Sequence, residues 1–130
     1  MPVPLFQVRG DLLSRLALRE GVRRPAAILF GVIGRVLPRL HDWLRSDRRL
    51  QDRWSRALGV DCSDDRSVAD LLLREALVAN ADGAVLFSTT SPVRLERACA
   101  TAQYAVTHDA AVDRFRTLVA AALPADQAQP

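Results

Sequence analysis

Along most of this chain apolar residues recur every three or four positions, the spacing that gathers side chains onto one face of an α-helix. Leu12, Leu13, Leu16 and Ala17 predict a first short helix over about 11–20, stopped by Gly21. From Pro38 to about Leu58 the residues Leu40, Trp43, Leu44, Leu50, Trp54, Ala57 and Leu58 fall within one arc, which predicts a single long helix ended by Gly59. Asp65 or Ser67 caps the next, running to about Ala79 and turning Val68, Leu71, Leu72, Ala76 and Leu77 inward. Ser91-Pro92 opens another, with Leu95, Cys99, Ala102 and Val106 as its buried stripe. A last helix over about 109–123 offers Val112, Phe115, Leu118, Val119 and Ala122.

Two stretches break the period. Residues 26–34 are apolar throughout, which predicts the buried central helix of the fold. Gly31 and Gly34 there match on paper the GxxG of a nucleic-acid-clamping KH loop, but inside an apolar run they are read as sites of close helix packing. Residues 84–90 leave three alternatives open: a short strand, a loop plugged into the core, or a helical extension. Asn80-Ala81-Asp82-Gly83 before them is a turn. Together these elements predict an all-α fold, a compact bundle of five to six helices forming one domain over 1–123, with a flexible tail at 124–130.

Composition agrees with a folded, helical domain. The 130 residues suffice for a core without staples, and with 5% aromatics that core is built mainly from Leu, Val and Ala. All 18 Lys+Arg residues are arginine. A coding bias toward arginine is one reading; the functional one is that a guanidinium fork matches phosphate bidentately. Without lysine there is no Walker A loop, no Schiff-base lysine and no Ser-x-x-Lys site.

Charge is unevenly placed. Met1–Arg56 carries 12 arginines against 5 acids, +7, while Ala57–Pro130 carries 6 against 10, −4, which yields the formal +3. On the predicted 38–58 helix, Arg45, Arg48, Arg49, Arg53 and Arg56 lie opposite the apolar arc, with Arg39 at its flank and Arg23 and Arg24 nearby in the chain. These eight arginines are the candidate phosphate-binding residues. The competing reading is a solvated face whose charges pair at helical spacing, as Asp42–Arg45, Arg48–Asp52 and Asp52–Arg56 can. Trp43 and Trp54 are expected in the core rather than stacked on bases.

Catalytic signals are missing. His41 and His108 are the sole neutral-pH acid/base candidates, and no metal-ligand set, nucleophile elbow or glycine-rich phosphate loop accompanies them. The acids Asp61, Asp64 and Asp65 lack the EF-hand pattern. No enzyme activity, cofactor or metal is therefore expected. Cys99 reads as a core residue, and Cys62, among acids, as an unreactive thiol. With no secretory leader and no apolar run near the roughly 20 residues a bilayer needs, a cytoplasmic protein with free thiols and no membrane contact is expected.

In size, helicity and its arginine-heavy helix the chain resembles the small subunits of CRISPR effector complexes. That resemblance covers the whole chain through architecture and charge and brings no signature residues. It implies a non-enzymatic subunit of an antiviral ribonucleoprotein complex, repeated within the assembly. The arginine face would meet RNA or single-stranded DNA, and the acidic half neighbouring protein subunits. A helical protein–protein adaptor, or a dimerising, ligand-sensing module without nucleic-acid contact, is the rival expectation.

Overall fold

The computed structural model describes residues 6–9, 12, 27–81, 83–104 and 110–122. In chain order these form β1 (Phe6–Arg9), β2 (Ala27–Phe30), α1 (Val36–Arg45), α2 (Arg48–Leu58), α3 (Asp65–Ala79), β3 (Ala84–Val85), α4 (Pro92–Tyr104) and α5 (Ala110–Ala122). The fold is all-α in its bulk, a compact packing of five helices among the described residues, and strand is confined to three short segments. Of the expected 11–20 helix only Leu12 is described; it is helical and buried.

The expected helix over 26–34 is corrected: Ala27–Phe30 is the middle strand of a parallel sheet of order β1-β2-β3. Phe6 aligns with Ala27 and Arg9 with Phe30 on one side, Ile28 with Ala84 and Leu29 with Val85 on the other. An unbroken apolar run of five, bounded by Pro25 and Gly31, suits a parallel strand as well as it suits a buried helix turn. Among the alternatives for 84–90, the short strand holds for Ala84–Val85, and 86–90 continues as a loop.

The central helix is α3 instead. It packs against α1, α4, α5 and β3, and it buries Val68, Leu71, Leu72, Leu73, Glu75 and Ala76. Its cap is Asp64, one residue before the expected start, whose carboxylate accepts from the Arg66 N–H and the Ser67 hydroxyl. Around it Leu12, Leu40, Leu44, Trp54, Leu58, Cys62, Phe115 and Val119 complete the main core. Each such leucine is worth about 1.5–3 kcal/mol when fully buried. On α5 the burial of Val112, Phe115 and Val119 matches the sequence reading.

The long helix expected over 38–58 is two helices. Ser46 and Asp47 break it, and Asp47, in extended conformation, caps α2 by accepting from the N–H of Arg49 at 2.9 Å and of Leu50 at 3.4 Å. Gly59 ends α2 at φ 69°, the left-handed C-terminal position that favours glycine. Replacing Asp47 with alanine should cost about 1 kcal/mol of unfolding free energy in urea titrations, while asparagine should retain most of it. An equal loss for both substitutions would remove the cap from this account.

Candidate nucleic-acid interface

Since α2 turns once per 3.6 residues, its sequence sorts the two faces without ambiguity. Trp54 and Leu58 are buried, with Leu50 and Ala57 half-buried beside them. Arg48, Arg49, Asp52, Arg53 and Arg56 occupy the exposed arc. Four guanidinium groups against one carboxylate therefore stand in water on one helix. Arg45 and Arg39 are exposed on the separate helix α1, together with Asp42. The break at Ser46-Asp47 thus divides the expected stripe into two faces. Arg23 and Arg24 lie outside the described residues.

The pairings that helical spacing allows are not formed. Among the described residues Arg45, Arg48, Arg49, Arg53 and Arg56 make no ion pair and no side-chain hydrogen bond. Asp47, the acid nearest the seam, is spent on backbone N–H groups. An exposed pair would gain at most about 1 kcal/mol and would fix two long side chains, so leaving these charges apart costs the fold little.

Under this face lies an aromatic cluster of the core. Trp54 is 2% exposed and meets Trp43 edge-on at 5.2 Å and Phe115 at 6.3 Å between ring centroids. The expectation that the tryptophans pack inward holds fully for Trp54. Trp43 is half-buried against the same core. Neither ring lies in the arginine arc, so the groups that arc offers a partner are charged side chains, four guanidinium groups and one carboxylate.

The remaining polar candidates are absorbed locally. His41 Nδ1 pairs with Asp65, tying α1 to the start of α3, while its buried Nε2 has no hydrogen-bond partner among the described residues. Asp61 accepts from the backbone and hydroxyl of Ser63, and these bonds hold its carboxyl below the usual range. With Asp64 capping α3, the acidic cluster is fully employed, and no group of metal-ligating side chains occurs among the described residues. His108 lies outside them.

The raised thiol expected for Cys62 is found, whereas the core position expected for Cys99 is corrected. Cys62 is a core residue, and burial first of all pushes its thiol up, with Asp61 adding to the effect and a hydrogen bond involving Ser55 opposing it. Cys99 is exposed. The same rotation affects all of α4: Ala98 is buried, whereas Leu95, Cys99 and Ala102 face outward. Leu95 is 50% and Val93 69% exposed, so the predicted stripe of α4 is a surface.

No helix among the described residues is long and apolar enough to cross a membrane. No family model, curated protein or solved structure matches this chain.

Proposed function

We propose that this chain is a non-catalytic subunit of a larger cytoplasmic ribonucleoprotein assembly, holding the phosphate backbone of RNA or single-stranded DNA on the exposed face of α2. Arg48, Arg49, Arg53 and Arg56 make the contact, with Arg45 and Arg39 of α1 and Arg23 and Arg24 as further cations. The reading is that of the small subunits of CRISPR effector complexes, and so of antiviral defence. One observation carries it: a row of water-facing guanidinium groups that the described carboxylates leave unpaired. Such a face supplies sequence-independent affinity through counterion release.

A second reading, a helical protein–protein adaptor, draws on a different feature. Val93 and Leu95 on α4, with Leu86 before it, expose apolar side chains that an assembly partner would cover. The two readings are separated by purifying the tagged full-length chain from its native cells, with and without nuclease treatment. Nucleic acid released by salt, and protein partners lost after nuclease, are the expected result. Protein partners that survive nuclease, with no nucleic acid recovered, would replace this reading by the adaptor.

A further inference from the structure

A second cationic surface lies beside the start of α3, and the sequence reading does not contain it. A cleft of about 680 Å³ opens where β2 and β3 end. Its walls come from the 31–34 turn after β2, the 86–89 loop after β3, and the opening turns of α1, α3 and α4. This volume falls within the range of small-molecule sites.

Its chemistry is divided. Ile33, Leu37, Leu73 and Phe87 supply apolar wall, while Arg66 and Arg94 supply charge. The two carboxylates at the cleft are already committed. Asp70 is held by Arg97 at 2.7 and 2.9 Å, and Asp65 by His41. Arg66 and Arg94 have no side-chain partner among the described residues. The site is therefore net cationic at one part and apolar at another. Thr89 accepts the Ser91 N–H and keeps its hydroxyl hydrogen to donate.

The turn between β2 and α1 adds open backbone. Gly31 stands at φ 67°, which accounts for glycine there, and a Cβ built on Gly31 or Gly34 meets nothing within 4 Å. The close-packing role expected for these glycines is thus corrected: they leave peptide groups accessible at the cleft. Helix α1 starts right after them without a side-chain cap.

From these features we infer that the cleft binds a phosphorylated nucleoside, the base against the apolar wall and the phosphates between Arg66 and Arg94. A bare phosphate would leave the apolar wall unused, and an apolar ligand would leave two guanidinium groups unanswered. This site is separate from the α2 face and stands or falls without it.

The test is calorimetric titration of the full chain with ATP, GTP, CTP and UTP, with tripolyphosphate and adenosine as the two halves of the ligand. At least one nucleotide should bind saturably, and at least about tenfold more tightly than either half. Arg66→Ala and Arg94→Ala should each weaken it by about tenfold. Ala69→Phe, which fills the cleft, should abolish it with the circular dichroism spectrum unchanged, and Arg49→Ala with Arg53→Ala should leave it intact. The inference is overturned if no nucleotide saturates at millimolar concentration, or if tripolyphosphate binds as tightly as the nucleotides. It is equally overturned if the α2 substitutions remove binding while the Arg66 and Arg94 substitutions do not.

Discussion

Changing Arg49, Arg53 and Arg56 together to glutamate will lower the affinity for a single-stranded oligonucleotide by at least about a hundredfold at 0.1 M salt. The size follows from counterion release. At that salt each phosphate contact with a single strand contributes roughly a factor of five, so three contribute on the order of a hundredfold. Reversal adds repulsion to that loss. All three residues are exposed and unpaired within the described structure, so folding should change by no more than about 0.5 kcal/mol. Fluorescence anisotropy gives the affinity and thermal unfolding the control. An affinity within threefold of the unaltered chain would count against α2 as the contact face.

The largest stability effect is expected from Trp54→Ala, at about 3–5 kcal/mol. Trp54 is at the junction of α2 with α5: its ring fills the core and forms edge contacts with both Trp43 and Phe115. Its removal opens a cavity and forfeits two aromatic pairings worth about 0.5–1.5 kcal/mol each. Measured against a typical domain stability of about 5–15 kcal/mol, that is enough to leave the variant partly unfolded. Trp54→Phe should lose less, and urea titration of both separates cavity from contact. A loss below about 1 kcal/mol for the alanine variant would mean that α2 is not anchored through this ring. Because the arginines ride on the same helix, the alanine variant should also weaken nucleic-acid binding, whereas the phenylalanine variant should not.

Helical spacing carried far where one face of an element meets the core. Val112, Phe115 and Val119 on α5, and Val68, Leu71, Leu72 and Ala76 on α3, are inward both in pattern and in structure. Ser91 as the cap of α4, accepting from the Arg94 N–H, follows from its chemistry before Pro92. Spacing failed where a pattern had no period or the wrong weight. Ala27–Phe30 is uniformly apolar, so nothing in it separates strand from helix; partners as remote as β1 and β3 decide.

The break at Ser46-Asp47 escaped because the apolar arc continues across it. Two residues of cap geometry barely disturb the spacing of Leu44 and Leu50, and the signal was the pair of good capping residues in mid-run. On α4, Leu95, Cys99 and Ala102 have correct spacing but lie on the open side, and Ala98 packs instead. A weakly amphipathic helix does not declare which side its neighbours will cover. The exposure of Arg48, Arg49, Arg53 and Arg56 was legible because they lie opposite Trp54 and Leu58 on the turn of α2. The cleft was hidden, since it exists only once β2 and β3 are paired and their following loops converge.

The proposed function depends on phosphate neutralisation by α2, and a salt series measures that directly. For the unaltered full-length chain and a single-stranded oligonucleotide, the logarithm of the association constant is followed against the logarithm of salt concentration. Four contacts from Arg48, Arg49, Arg53 and Arg56 predict a slope near about −3. A slope indistinguishable from zero, or no binding even at the lowest salt, would contradict the account.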